Sequence, residues 1–489
     1  MNLSKSKYCE GIKCKKILWL NKNNPSVREE VANESVLENG VVVGEVAKNL
    51  FGKYINIEFN ENLSKMINDT NKVIKENNNV IITEASFNYN NNFCSVDILV
   101  KKDNFYEIYE VKSSTEVKDV YIDDISYQRY VLENLGYNII KTSIVYINNE
   151  YVRYGELELD KLFNIEDVTE ISLSKQEKIK ENIKSMNEYI LQVDEPQENI
   201  EIRCHEPYDC PYFKYCTKHL PENNVFKIRN MRMKDKIKFY NENKYRYEDL
   251  LKESINKKYK QQIEFELYNK SPFINKEAVK EFLNNLYYPL YFLDFESFQQ
   301  AIPMYDGISP YMQIPFQYSL HYIKDENKSL EHLEFLADAG IDPRRDLAER
   351  LVNDIPKNSC VLAYNMGFEK GVIKKLAKQY PDLSEHLMNI HDNIQDLMLV
   401  FQQRNYYTKE MLGSYSIKYV LPALFPNDEE LNYHNLELIH KGDEASNAYA
   451  NLNNLSKEEQ EKIRKALLKY CELDTYAMVK IWQKLKETI

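Results

Sequence analysis

Residues 291–298 read YFLDFESF, an apolar run that carries Asp294 and Glu296 in its middle. Aromatic and branched residues at this density predict a strand. Period-two geometry then places both acids on one face, a few ångströms apart. Like charges that close repel, and at least one pKa rises unless a cation lies between them. The stretch therefore poses the question of a metal site.

The downstream sequence supplies partners for it. PLYFLDFESF and IPFQYSLHYI predict a hairpin pair, SCVLAYN predicts a strand, and GFEKGVIKKLAKQY and EEQEKIRKALLKYCELDTYAMVKIWQKL predict helices. This alternation implies an α/β domain with a mixed sheet over residues 285–489. Asn365 and Glu369 fall at a strand-to-helix junction, Asp396 precedes an apolar run, and Tyr470 and Asp474 stand at i and i+4 of one helix. Taken alone, Tyr470 and Asp474 read as a helix surface pair. Lys418, in GSYSIKYVLPALFP, reads equally as a phosphate contact or a surface lysine.

In this order the segments resemble the DEDD exonucleases of the RNase H-like fold, in the subclass whose third motif is Tyr-x3-Asp. The resemblance implies 3′→5′ exonuclease activity with two Mg²⁺ or Mn²⁺ ions held by carboxylates. Asp294 and Glu296 would be the first-motif ligands, Asp474 the last, and Tyr470 would orient the attacking water. The second motif of that family ends in Asp. Here Glu369 is the first choice for that place and Asp396 the second. His321 and His391 have no catalytic part in this subclass.

At 489 residues the chain exceeds one ordinary core, so two or three domains are expected. The divisions read as 1–222, a Lys-rich helical connector over 223–284, and 285–489. A net charge of −12 excludes a broadly basic nucleic-acid coat, so any contact with nucleic acid comes from a local patch. The connector's KIRNMRMKDKIK is one such patch, or simply a solvated helix face. With no run of eighteen apolar residues and no N-terminal apolar region, a cytoplasmic protein without membrane contact is expected.

The first segment carries a second acidic constellation. NNFCSVDILV and FYEIYEVKSS predict two strands joined by a turn at KKDN, which lets Asp97 meet Glu110 and Lys112 across the ladder. Two carboxylates plus a lysine form a metal-dependent hydrolase kit, and Glu84 is a weaker acidic candidate. Alone, the pattern is also that of a surface hairpin with an ion pair. With Gln128 and Tyr130 on the next helix it resembles the PD-(D/E)XK nucleases of the RecB type, which makes both residues candidates for support of the site. Those enzymes often carry a His on the first helix. Gly44 stands there in this chain, and Glu45 is the nearest alternative ligand.

Of eight cysteines, Cys204, Cys210 and Cys216 are spaced C-x5-C-x5-C, and Cys14 lies near the N-terminus. Thiolates suit an iron–sulfur cluster or Zn²⁺. The arrangement resembles the iron–sulfur staple of AddB and the CRISPR-associated RecB-type exonucleases. That likeness implies a [4Fe–4S] cluster on Cys14, Cys204, Cys210 and Cys216, with Cys14 preferred to Cys9 because of the Lys, Trp and Leu that follow it. Cys94, Cys360 and Cys471 read as core residues.

The whole pattern resembles a bacterial family of fused nucleases known mainly as a domain of unknown function. It implies a nucleic-acid partner, DNA with a free or single-stranded end, or RNA. The alternative is a nucleic-acid-binding or assembly protein in which one or both sites are degenerate.

Overall fold

The computed structural model describes residues 3–30 and 34–489. The chain forms two units: Met1–His219 with Gln300–Met312, and Leu220–Gln299 with Gln313–Ile489. Both are α/β. The expected break at 222/223 lies near this change of unit. Residues 223–284 are not a separate body; they carry the helices Met233–Asn241, Tyr247–Leu250, Lys257–Tyr268 and Lys276–Asn284 and fall within unit 2.

Unit 1 is built on one sheet of β1 (Leu3–Ser4), β2 (Ile55–Asn56), β3 (Asn79–Tyr89), β4 (Asn92–Lys102), β5 (Phe105–Lys112), β6 (Asn138–Ile147) and β7 (Phe163–Asp167). The order is β2-β3-β4-β5-β6-β7, with β1 added alongside β4. Asn90 and Asn91, both at positive φ, make the tight turn between β3 and β4, the geometry that Asn tolerates best after Gly. Helices α1 (Lys5–Lys13), α2 (Lys15–Asn23), α3 (Glu34–Ala47), α4 (Leu63–Glu76), α5 (Asp119–Asn134) and α6 (Gln176–Ile190) surround the sheet. One face packs Val96, Leu99 and Ile108 against Tyr8, Met66, Tyr127 and Ile183. The other packs Ile98, Val100 and Val145 against Val43, Ala47 and Ala301.

The pleat slips at one place. Cys94 and Val96 of β4 join the first core, but so does Leu99, so the alternation changes phase around Asp97. Opposite it on β3, Glu84 has a φ of 58° inside a strand. The left-handed region is costly for a residue with a β-carbon, and such backbone clusters where a site needs it. The β4–β5 ladder also ends here, its last pair being Ile98 with Tyr109.

Unit 2 holds β8 (Phe273–Ile274), β9 (Leu290–Phe298), β10 (Ile314–Ile323), β11 (Glu331–Leu336), β12 (Cys360–Ala363), β13 (Ile394–Asp396) and β14 (Tyr406–Tyr407). The main sheet runs β11-β10-β9-β12-β13, with β9 in the middle, antiparallel to β10 and parallel to β12. Its helices include α7 (Arg344–Asp354), α8 (Gly367–Gln379), α9 (Ile417–Leu424), α10 (Gly442–Asn451) and α11 (Lys457–Glu487). Because helices cover both faces, β9 reads as nearly continuous apolar sequence instead of an alternating one. Tyr291, Leu293 and Phe295 pack towards α7 and α8. Leu290 and Phe292 pack towards α11, with the Phe292 and Trp482 rings 5.7 Å apart. Among the described residues no helix is long and apolar enough to cross a membrane.

Candidate metal centres

Asp294 and Glu296 continue the β9 face that Leu290 and Phe292 begin, so the sheet aims both acids at α11. That helix starts on a capping box between Ser456 and Glu459 and turns Leu473, Ala477, Ile481 and Leu485 onto the sheet. Tyr470 and Asp474 lie on the same side, one turn apart. One oxygen from each of Asp294, Glu296 and Asp474 lies within 4.8 Å of the others. None of the three has an ion-pair partner among the described residues. Burial, then Asp474, Glu296 and Glu369, push Asp294 well above the usual carboxylate range. Burial and Asp474 do the same to Glu296. Asp474 is pushed up to about 6 by burial, against the hydrogen bond from Tyr433, the charge of Lys418 and the hydroxyl of Tyr470; the Lys418 charge also tempers the rise of Glu296.

Glu369 sits in the first turn of α8, is buried, and has one oxygen, Oε2, without a hydrogen-bond partner. Burial pushes it up to about 8. Asp396 is buried too, but its Oδ1 accepts the backbone N–H groups of Asn365 and Met398, each at 3.0 Å. It fastens the turn in which Asn365 takes a φ of 78°. Between the two candidates, Glu369 is the one with a buried, unpartnered oxygen and an electrostatic influence on Asp294 and Glu296.

Tyr470 is buried beside the acids. Tyr433, which the sequence reading did not single out, donates its hydroxyl to Asp474 Oδ1 at 2.5 Å. Lys418 is exposed, and Lys418, Tyr433, His434 and His440 help line a cavity of about 270 Å³. Gly442 opens α10 against the cluster: a β-carbon there would stand 3.7 Å from Glu296 Oε2. Upstream of Lys418, Gly413 has a φ of 75°, and a β-carbon would fall 2.1 Å from Gln262 Oε1. Only glycine fits that turn.

In unit 1 the strands that part after Ile98 and Tyr109 frame the second cluster. Val111 N–H, freed from the ladder, donates to Asp97 Oδ2 at 2.8 Å. Lys112 Nζ reaches Glu110 at 2.6 Å and Asp124 of α5 at 2.8 Å. Gln128, one turn after Asp124, donates Nε2 to Glu110 Oε2 at 2.6 Å. The expected Asp97, Glu110, Lys112 and Gln128 are thus brought together. Tyr130 is not among their hydrogen-bond partners; its ring lies 6.3 Å from that of Tyr89.

Two residues absent from the sequence reading complete the cluster: Asp124, and Lys5 of α1. Lys5 Nζ lies 3.0 and 3.1 Å from the two oxygens of Glu110 and 3.4 Å from Asp97 Oδ1. Burial and Asp97 push Glu110 up, yet Lys112 and Lys5 outweigh them and hold it below the ordinary value. At the rim, Lys48 pairs with Glu45 at 2.6 Å and with Glu84 at 3.7 Å. Glu45 is exposed, and around Gly44 a β-carbon would meet nothing within 4 Å.

Cys14, Cys204, Cys210 and Cys216 all flank one apolar cluster with Ile17, Trp19, Leu20 and Tyr212. Polar contacts join the two ends of unit 1 there: Trp19 Nε1 donates to Gln192 O at 2.9 Å, Tyr212 Oη to Asn21 Oδ1 at 2.7 Å, and Lys13 to Tyr208 O. Burial pushes the Cys14 and Cys210 thiols up and Cys216 to about 11. Among the described residues, the acids of unit 2 are the group whose ligand atoms converge as tightly as one ion requires; the sulfurs stand farther apart. The connector's basic run is partly spent inside unit 2. Lys236 is buried with Nζ on Phe226 O at 3.0 Å, and Arg232 pairs with Asp235 at 2.9 Å.

Residues 291–416 match the family described as "Domain of unknown function (DUF2779)". The match takes in Asp294, Glu296, Glu369 and Asp396 and ends before Tyr433, Tyr470 and Asp474. The chain is also 28% identical over 207 residues to the uncharacterized protein MG366 of Mycoplasma genitalium, covering 39% of this chain and 31% of that protein. To the uncharacterized protein UU173 of Ureaplasma parvum it is 25% identical over 260 residues, covering 49% of this chain and 37% of that one. The chain thus spans about a third of the length of these relatives, and its likeness to them includes no assigned activity.

Proposed function

We propose that the protein is a metal-dependent nuclease, with a DEDD-type 3′→5′ exonuclease of RNase H-like fold in unit 2 and a second, PD-(D/E)XK-type site in unit 1. The observation that carries the reading is the convergence of Asp294, Glu296 and Asp474 within 4.8 Å without a protein cation between them. Three buried or half-buried carboxylates in that arrangement repel one another, and hard oxygen donors of this kind suit Mg²⁺ or Mn²⁺. Glu369, with its unpartnered oxygen, is the fourth acid. A divalent ion there would lower the pKa of a bound water and offset charge at the scissile phosphate.

The chain's own residues do the rest. Tyr433 holds Asp474 by a hydrogen bond and, with Tyr470, favours its ionised form. Tyr470 supplies a hydroxyl beside the acids to orient water. Lys418, exposed at the same face, meets the phosphate backbone. In unit 1, Lys112 and Gln128 hold Glu110 in place, and the Val111 N–H holds Asp97. The four cysteines form the ligand set of a structural [4Fe–4S] cluster. The thiolates of Cys14, Cys204, Cys210 and Cys216, which flank one apolar cluster, would hold it and join the two ends of unit 1. Closing a loop of about two hundred residues restrains the unfolded chain.

The test is end-labelled single-stranded DNA and RNA incubated with Mn²⁺ and the full chain. Stepwise shortening from the 3′ end, absent in Asp294→Asn, is expected. Tight binding without shortening would overturn the reading in favour of a binding module, and equal shortening by both proteins would overturn the assignment of the activity to Asp294.

A further inference from the structure

The first helix of unit 1 delivers a cation to the carboxylates that a metal would need. Lys5 Nζ lies 3.0 and 3.1 Å from the oxygens of Glu110 and 3.4 Å from Asp97 Oδ1, the space that an ion bridging the same two carboxylates would take. Ammonium and metal exclude each other there.

Charge gives the same answer. Asp97, Glu110 and Asp124 face Lys5 and Lys112, which leaves one net negative charge. Without Lys5 the deficit is two, the charge that a divalent ion neutralises. With both, a half-buried cluster would carry net positive charge, which low-dielectric surroundings penalise heavily. At the rim Lys48 pairs with both Glu45 and Glu84, which leaves one further negative charge, but farther from the Lys5 position and more open to solvent than Glu110.

Placement of Lys5 is built into the fold. Leu3 and Ser4 pair with Asn92 and Phe93 on the edge that β5 leaves open. Tyr127 Oη donates to Leu3 O at 2.6 Å, and Tyr8 stacks on Tyr127 at 4.7 Å. Ser4 caps α1 by accepting the Lys7 N–H at 3.3 Å. The backbone is fixed while the Lys5 side chain, 23% exposed, keeps a path to solvent.

We propose that Lys5 is the resident counter-ion of this site and that a divalent metal enters only when the Lys5 side chain swings out. Unit 1 therefore stays metal-free at metal concentrations that fill the acids of unit 2. This rests on reading Asp97 and Glu110 as metal ligands.

The experiment counts Mn²⁺ bound per full-length chain by electron paramagnetic resonance, with unit 2 silenced by Asp294→Asn and Asp474→Asn. Lys5→Met in that background is expected to raise Mn²⁺ affinity at least tenfold, Lys5→Gln to do likewise, and added Glu110→Gln to abolish the gain. If the chain with native Lys5 already binds Mn²⁺ through Glu110 as tightly as the Lys5→Met chain, the proposal fails. It fails equally if either Lys5 variant is folded and gains no ion. Should neither variant fold, the native-Lys5 chain decides alone: micromolar binding lost on Glu110→Gln overturns the proposal, and no Glu110-dependent binding up to millimolar Mn²⁺ sustains it. Because the readout is ion binding in chains whose unit 2 is silenced, the result is independent of cleavage: if the chain with all its native acids cleaves nothing, the nuclease reading falls and this one stands.

Discussion

The two acidic clusters solve the same electrostatic problem in opposite ways. In unit 1 each buried carboxylate has a lysine beside it: Glu110 has Lys5 and Lys112, and Asp124 has Lys112. In unit 2, Asp294, Glu296 and Asp474 meet with tyrosines around them and no ion-pair partner among the described residues. The first cluster is neutral enough to be stable by itself. The second is left with a demand for positive charge. Carboxyl side chains alone therefore do not mark a metal site; what separates the two clusters is whether the fold brings a cation into contact with the acids or, as with Lys418, only near them.

The largest expected effect tests the uncompensated cluster. Asp294→Asn should lower Mn²⁺-dependent turnover by about a thousandfold or more, since a ligand to the ion that activates water contributes several kcal/mol to the transition state. The same substitution should raise the melting temperature of the metal-free protein, because it removes one of several repelling charges. Loss of activity together with loss of stability would mean that Asp294 acts through folding instead.

The compensated cluster predicts the reverse for stability. Glu110→Ala leaves Lys112 and Lys5 in a partly buried place with one carboxylate fewer, and should cost about 3 kcal/mol in chemical denaturation. Glu110 is 1% exposed, so water does not easily take over. A cost near zero would mean that the lysines relax to solvent and that the pairs are only loosely made.

A third comparison is made by pH. Asp294 and Glu296 are raised well above the carboxylate range, Asp474 to about 6 and Glu369 to about 8. With folded-state values above the unfolded ones, the folded chain binds the extra protons. The contribution of these groups to stability is therefore present at low pH and lost as pH rises through their folded values. A divalent ion binds the deprotonated acids and restores it. Stabilisation by Mn²⁺ should be larger at about pH 8.5 than at about pH 5.5, by ~2 kcal/mol, in the range that saturating a single site provides. For unit 1 the shift of Glu110 is downward, so its contribution is lost on acidification instead.

The contrast also explains what could be read from the sequence. The strands carrying Asp97 and Glu110 and the strand carrying Asp294 and Glu296 were legible, because period-two alternation and apolar runs are local signals. Cys204, Cys210 and Cys216 stood out by spacing, whereas Cys14 was joined to them only through the family resemblance; all four flank one apolar cluster. Lys5 was not legible: it lies 105 positions from Glu110, and only the pairing of Leu3 and Ser4 with β4 brings it there. Asp124 was hidden in plain view on the helix that offered Gln128, since one more acid in an amphipathic helix reads as surface. Glu84 was expected as an extra ligand and pairs instead with Lys48, at a left-handed residue that no propensity foretells. The grouping of residues 300–312 with unit 1 was equally invisible, because it depends on Ala301 joining a core made two hundred residues earlier.

Tyr433 gives the finest test of the comparison, because it is the group in direct hydrogen-bond contact with an acid of unit 2, as the lysines are in unit 1. Its hydroxyl donates to Asp474 Oδ1 at 2.5 Å and so stabilises the ionised carboxylate, but it brings no charge. A hydrogen bond to a charged group is worth about 1.5–3 kcal/mol, part of which Tyr470 can recover in its absence. Tyr433→Phe keeps the ring that packs 6.0 Å from Tyr470 and removes only the oxygen. Turnover at neutral pH should fall about tenfold, and the acid limb of the pH–rate profile should move to higher pH, because Asp474 then holds its proton more tightly. Saturating Mn²⁺ should recover most of the loss, since the ion competes with that proton. A rate that falls with no shift of the acid limb would make Tyr433 a packing residue, and the acids of unit 2 would then meet with no help from the tyrosines at all.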